Sequence, residues 1–338
     1  MYFTYFLYYV NGFGDIIIVK TCKEVIMDTV IEVRGLVKKY KELTAVDNLD
    51  LDVKKGEILG LLGPNGSGKS TTINCILSLL KKDAGTVKIF GEPMSPDAYD
   101  IKRRIGVVFQ DVGVYDELSV YENIDYFCGL YISDKAKRKE LVERALDLVS
   151  LNDFVKFKPK KLSGGLLRRL NIACGIAHRP EIIILDEPTV AVDPQSRNSI
   201  LEGIKKLNDE GSTIIYTSHY MDEVDFLCDD IVIIDKGKVI AKGTSEELKD
   251  MITMNEKISF TSKNLSDDVI DKIKAFEHLL SYENKDGSIK LSFAHGDGYL
   301  MKLIKLLDDN GIRYSSLNVE KPSLNDVFLE LTGKDLRD

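Results

Sequence analysis

Gly63-Pro64-Asn65-Gly66-Ser67-Gly68-Lys69-Ser70-Thr71 is a complete GxxxxGK[ST] phosphate-binding loop. An apolar run, Ile58-Leu59-Gly60-Leu61-Leu62, precedes it, and a helical stretch from Thr72 to Leu80 follows. Those flanks matter. A strand–loop–helix unit turns consecutive backbone N–H groups onto one anion and adds the positive N-terminal end of a helix. Gly63, Asn65, Gly66 and Gly68 would shape the loop. Lys69 would reach the β- and γ-phosphates, and Ser70, with Thr71 beside it, would place a hydroxyl on Mg²⁺. The chain is expected to bind a nucleoside triphosphate.

At the scale of the whole chain, 338 residues suit two domains. An apolar content of 44% with 30% charged residues describes a folded chain, and a net charge of −8 argues against non-specific nucleic-acid binding. The five cysteines (Cys22, Cys75, Cys128, Cys174, Cys228) form no CxxC pair, so neither a zinc site nor a disulfide framework is suggested. The first 26 residues are apolar and tyrosine-rich, but Asn11, Gly12, Gly14 and Asp15 interrupt them. They lack the basic start of a signal peptide, and their apolar runs are too short for a membrane span. Met27 reads as a natural start for the domain that follows, which makes residues 1–26 an upstream extension of uncertain standing.

From residue 27 the pattern is α/β. Strands are expected over Val30–Val33, Leu43–Val53, Thr86–Phe90, Gly106–Phe109, Glu181–Leu185 and Thr213–Thr217, with a closing pair around Gly237. Residues 118–149 are helical and charged, broken at Ser133-Asp134, a good N-cap. Another helix is expected over Gln195–Asn208. Apolar strands alternating with helices predict a mostly parallel sheet beside an antiparallel β part and a helical subdomain. A short helix with a capping-box pattern at Thr244–Glu247 closes this domain, 27–250.

Four further elements stand in order along that domain. Ile182-Ile183-Ile184-Leu185-Asp186-Glu187 is an apolar strand delivering two acids at its C-terminal end, where an α/β sheet holds its ligand. Leu162-Ser163-Gly164-Gly165 lies upstream of it, Gln110 follows a strand, and His219 follows Thr213–Ser218. With the phosphate loop, these five elements resemble the ATP-binding-cassette (ABC) ATPases, over residues 28–250. The resemblance implies ATP and Mg²⁺ as ligands and assigns roles by position. Tyr40 would stack on adenine, with an ordinary edge-strand tyrosine as the rival reading. Lys69 would hold the phosphates, and Ser70, Gln110 and Asp186 would serve Mg²⁺. Glu187 would polarise the attacking water, aided by Gln110 and His219. Asp193 would sit at a subunit boundary, while Ser163 and Gly165 would reach the γ-phosphate of an opposite subunit. Two positions depart from the family pattern: Leu166 stands where Gln or Met is usual, and Ala191 where glycine often stands.

Residues 251–338 change in composition and carry no catalytic-type cluster. Strand, helix, two strands across Lys285-Asp286-Gly287, helix and strand predict a small βαββαβ accessory domain. His278 and His295 read as surface or structural residues. The closing Pro322-Ser323-Leu324-Asn325-Asp326-Val327-Phe328-Leu329 and the Glu181–Arg197 stretch resemble the ATPases of drug-resistance and sodium-extrusion exporters. That resemblance implies a peripheral subunit on the cytoplasmic face of a membrane. It would act as a homodimer or beside a paired ATPase, and power a separate transmembrane permease without nucleic acid. Tyr115, Leu118, Tyr121 and Tyr126 are candidate permease contacts or packing residues of the helical region. The alternative class, a soluble ABC ATPase acting on ribosomes or DNA, usually carries tandem cassettes or long coiled coils, and neither pattern is present.

Overall fold

A computed structural model describes residues 4–10, 16–22, 28–252, 256–262, 265–293, 298–320 and 323–333. The rest of the N-terminal extension, and His295, lie outside the described residues. Two strands, β1 (Thr4–Val10) and β2 (Ile16–Cys22), pair antiparallel. A long hairpin follows, β3 (Thr29–Tyr40) and β4 (Leu43–Lys54), then β5 (Ile58–Leu62), the phosphate loop and α1 (Lys69–Ile76). Helix α1 ends earlier than its sequence suggests, because Ser78 turns the chain at φ +50°. Strands β6 (Ala84–Ile89) and β7 (Glu92–Pro93) complete an antiparallel sheet in the order β4-β3-β6-β7. Glu92-Pro93 is thus a short edge strand, a place that tolerates proline's missing donor.

The chain continues through α2 (Tyr99–Lys102) and β8 (Ile105–Val108) to three helices, α3 (Val120–Gly129), α4 (Lys135–Leu148) and α5 (Gly164–Ile176). Ser119 and Glu122 cap α3 reciprocally, and Asp134 caps α4 by accepting the Lys137 N–H at 2.6 Å. After them come β9 (Ile182–Asp186), α6 (Pro194–Asp209), β10 (Thr213–Ser218), α7 (Met221–Leu227), β11 (Asp230–Asp235), β12 (Lys238–Gly243) and α8 (Ser245–Asp250). The second sheet runs β12-β11-β5-β10-β9-β8, parallel except for the β12 edge.

Strand alternation divides the interior into two cores. On β9, Ile182 and Ile184 face one core with Leu59, Leu61 and Ile73, beneath the antiparallel sheet. Ile183 and Leu185 face the other, with Leu170, Ile200 and Ile214 beneath the helices. All five β9 residues are buried, as a central parallel strand requires.

Beyond residue 252 lie β13 (Glu256–Thr261), α9 (Asp267–Lys274), β14 (Leu279–Lys285), β15 (Ser288–Phe293), α10 (Tyr299–Asp309), β16 (Ser315–Glu320) and α11 (Leu324–Thr332). The four strands form an antiparallel sheet in the order β14-β15-β13-β16, a split-βαβ arrangement with its own core around Phe260, Ile273, Phe293 and Leu303. Helix α11 leaves that core. Its Leu324, Val327 and Phe328 pack instead with Val224 and Leu227 of α7 and with Leu248 of α8. Helices α7 and α11 went unforeseen: α7 is short, and its N-cap residue Tyr220 offers no side-chain cap.

Candidate functional site

The C-terminal ends of three neighbouring parallel strands, β5, β10 and β9, assemble the site. From β5 comes the phosphate loop. Gly68 sits at φ +109°, and a Cβ there would lie 2.4 Å from the Ala45 carbonyl oxygen, so no side chain fits. Gly68 also begins α1 without a side-chain cap, which leaves the first-turn N–H groups for an anion. Lys69 is buried and donates to the carbonyls of Gly63 at 2.7 Å and Pro64 at 3.1 Å. Burial lowers its pKa, and the Glu187 carboxylate opposes that shift. Ser67 Oγ and Thr72 Oγ1 are buried polar atoms of the same cradle with no protein partner. A loop of free N–H groups, a buried cation and side chains barred by backbone fits a polyphosphate. The hydroxyl of Ser70 and the Asp186 carboxylate are hard oxygen donors of the kind Mg²⁺ takes.

From β9 come Asp186 and Glu187, both buried. Glu187 stands at φ +48°, a left-handed conformation uncommon outside glycine. Its Oε1 lies 3.4 Å from Lys69 Nζ, and its Oε2 lies 3.4 Å from Nδ1 of His219, which follows β10. His219 is a quarter exposed, with its ring 4.2 Å from that of Tyr220. Lysine, glutamate and histidine therefore meet at the ends of three neighbouring strands.

Two residues that sequence reasoning missed hold this geometry. Thr217 donates its hydroxyl to Asp186 Oδ1 at 2.7 Å and accepts the Glu187 backbone N–H at 2.8 Å. Arg168, buried in α5, donates to the carbonyls of Pro188 at 2.8 Å, Phe109 at 3.1 Å, Gln110 at 2.5 Å and Glu187 at 2.6 Å. One guanidinium thus fastens the Gln110 loop to the turn after Glu187. The basic pair Arg168-Arg169 inside an apolar helix was the available signal. Gln110 itself is exposed, tied through its backbone rather than its side chain.

Ser163, Gly165 and Asp193 form a second group. Ser163 caps α5 and Asp193 caps α6, where Asp193 accepts the Ser196 N–H at 2.9 Å. That bond holds the Asp193 carboxyl below its usual range. A Cβ on Gly165 would lie 2.4 Å from Ser196 Oγ, so only glycine lets α5 approach α6 there. Among the described residues, no hydrogen bond or ion pair joins this group to the chain's own phosphate loop. Tyr40 stands apart at the end of β3, exposed, with Lys38 Nζ 5.3 Å from its ring centre. Ala191 takes φ +59°, which is why glycine suits that position.

Known proteins resemble this chain over most of its length. A family profile described as ABC transporter matches residues 46–190, and one described as the ATP-binding protein DrrA1-3-like, C-terminal domain, matches residues 243–332. The linearmycin resistance ATP-binding protein LnrL of Bacillus subtilis is 38% identical over 310 residues, covering 91% of this chain and 100% of that protein. The daunorubicin/doxorubicin resistance ATP-binding protein DrrA of Streptomyces peucetius is 37% identical, covering 90% of this chain and 92% of that protein. A Nod factor export ATP-binding protein I from Cupriavidus metallidurans is 33% identical, covering 92% and 100%. Among solved structures, the dimeric structure of MJ0796, a bacterial ABC transporter cassette, is 31% identical, covers 63% of this chain and 98% of that one, and has a TM-score of 0.58. The chain belongs to the ABC transporter family, as an ATP-binding subunit of the exporter type that hydrolyses ATP to drive transport.

Proposed function

We propose that two cassettes clamp two ATP molecules at a shared seam, each lending what the other lacks. In this reading the loop of residues 63–71 holds the phosphates, Tyr40 stacks on adenine, and Ser70, Gln110 and Asp186 hold Mg²⁺. The metal would neutralise the phosphate charge that builds up during transfer. Glu187 accepts the proton of the attacking water, with His219 fixing the carboxylate's other oxygen. Ser163 and Gly165 offer the N-terminus of α5 to the γ-phosphate across the seam, and Asp193 lines it. One observation carries the reading: the buried Glu187 carboxylate lies 3.4 Å from both Lys69 Nζ and His219 Nδ1 at the ends of adjacent strands. The Ser163-capped N-terminus of α5, which among the described residues makes no hydrogen bond to the chain's own phosphate loop, supports the two-chain seam.

The permease side has its own support. A cavity of about 450 Å³ opens between the sheet and the helical part, lined by Leu79, Phe109, Phe127, Leu130, Tyr131 and His178. Tyr115 and Tyr126 are exposed beside it, their rings 5.0 Å apart, whereas Tyr121 packs partly against the core. Such an apolar groove next to the Gln110 loop suits a helix of a transmembrane partner. No described helix is long and apolar enough to cross a membrane, so in this reading the chain sits at the cytoplasmic face, docked on that partner.

Size-exclusion chromatography of a Glu187→Gln variant with ATP tests the seam. The expected result is retained binding, almost no hydrolysis and a shift to twice the mass, with Ser163→Arg in the same background abolishing the shift. A nucleotide-loaded Glu187→Gln chain that stays monomeric would overturn it.

A further inference from the structure

We infer that Glu223 is a positioning residue that locks the segments bearing Glu187, His219 and Asp193 into one unit; this rests on the roles given above to Glu187 and His219. Glu223 belongs to α7 and is buried. Its Oε2 accepts three hydroxyl protons: Thr189 at 2.8 Å, Tyr216 at 2.7 Å and Ser218 at 2.9 Å. Its Oε1 lies 3.2 Å from Arg197 Nε. A buried carboxylate is costly unless its charge is met: three hydroxyls satisfy Oε2, while Oε1, which takes no hydrogen bond, faces the Arg197 cation as an ion pair.

The four partners come from three segments, the turn after β9, strand β10 and the start of α6. Thr189 follows Glu187 by two residues along the turn after β9. Ser218 directly precedes His219, and its Oγ also accepts the Tyr220 N–H at 2.9 Å. Arg197 lies in the first turn of α6, where its N–H bonds to the Asp193 carbonyl at 2.9 Å. The Arg197 guanidinium also lies 4.5 Å from the Tyr220 ring centre. Tyr216 keeps its proton for this role, because burial and the Glu223 charge push its pKa well up. A shift of α6 relative to β9 and β10 must therefore break the Glu223–Arg197 contact or drag the His219 loop with it. The start of α6, where Asp193 sits, is mechanically tied to the groups around the reacting phosphate.

Steady-state ATPase assays of the full chain test this with Glu223→Gln, Arg197→Met and the double variant, each assayed below its melting transition. The amide introduced by Glu223→Gln would supply one carbonyl oxygen and no charge for Arg197, so we expect kcat to fall about tenfold or more for each single variant while KM for ATP holds. The double variant should be no worse than the poorer single, because the two residues act as a unit. Parental kcat in both singles, or losses that multiply, would overturn the inference. If Glu223→Gln does not fold, Arg197→Met, on a side chain about a third exposed, carries the test, with Arg197→Lys restoring part of kcat. Glu187→Gln is measured alongside. Its full turnover would sink the role of Glu187 itself, whereas an inactive Glu187→Gln beside fully active Glu223 and Arg197 variants would sink only the positioning role.

Discussion

Lys69 and Glu187, 118 positions apart in sequence, place Nζ and Oε1 3.4 Å apart with both side chains buried. Each charge makes the burial of the other tolerable. The same lysine donates to the Gly63 and Pro64 carbonyls, so it is anchored at the mouth of its own loop. A cation held there by backbone is ready for phosphate oxygens without first being ordered.

Removing that cation should be felt in binding. Lys69→Ala is expected to weaken ATP affinity at least about tenfold, equivalent to ~1.4 kcal/mol. Isothermal titration calorimetry reads it directly. Parental affinity would speak against the loop as the phosphate site.

Thr217 offers a cleaner test of positioning. Thr217→Val keeps the shape but strands the Glu187 N–H and releases Asp186 Oδ1. Leaving a buried donor unmet costs about 1–3 kcal/mol. Urea denaturation should register that loss, and kcat should drop in parallel. An unchanged midpoint would show that water replaces the hydroxyl.

Ala191 carries a steric penalty at φ +59°. Relief of a left-handed alanine is worth about 1–2 kcal/mol, offset by glycine's extra chain entropy of roughly 0.5–1 kcal/mol. Ala191→Gly should therefore stabilise the chain by about 0–1.5 kcal/mol in thermal or denaturant unfolding. A destabilised variant would mean that the Ala191 methyl makes contacts worth more than the strain.

Phe328 of α11 is 1% exposed and packs in the core of the nucleotide-binding part. Phe328→Ala is expected to cost about 3–5 kcal/mol, and calorimetric melting should show the cassette transition itself lowered. A loss confined to a separate C-terminal transition would contradict this packing.

Acid should destabilise the fold through His178. Burial beside Tyr131, whose ring stacks at 3.8 Å, pushes its pKa down from 6.5 to about 4. The unfolded chain then binds more protons between those values. Stability from this group is full above pH 6.5 and is lost as pH falls toward 4, by up to about 3 kcal/mol. Glu57, raised by burial to about 6, runs the other way: its contribution is present below its ordinary 4.5 and fades as pH rises through 6. Comparing His178→Phe with the parent at each pH cancels Glu57. The difference between the two should shift in the variant's favour by up to about 3 kcal/mol between pH 6.5 and 4, and a constant difference would count against a neutral buried imidazole.

Much of the site was legible because its chemistry is written in short contiguous motifs. The loop of residues 63–71, the Asp186-Glu187 strand end and the Ser163-Gly164-Gly165 turn each need particular residue types at fixed local spacing. The α/β alternation and the capping residues Asp134 and Thr244 were readable for the same reason. Thr217 and Glu223 were not, since a threonine at a strand end or a glutamate in a helix has no local pattern that distinguishes it, and the Arg168-Arg169 pair in an apolar helix hints at a buried arginine without naming its partners. Their importance comes from partners 19 to 59 positions away for Arg168, and 30 and 31 away for Thr217.

Amino-acid order alone specified the family, the triphosphate loop and the acid-bearing strand, because backbone geometry around glycines and apolar periodicity are local properties. Three-dimensional packing was needed to settle that α11 leaves its own small domain to pack on α7, and that one buried carboxylate gathers three segments. Those outcomes depend on which apolar faces and unpaired polar atoms meet across the fold, and burial makes their pairing obligatory in a way no local pattern records.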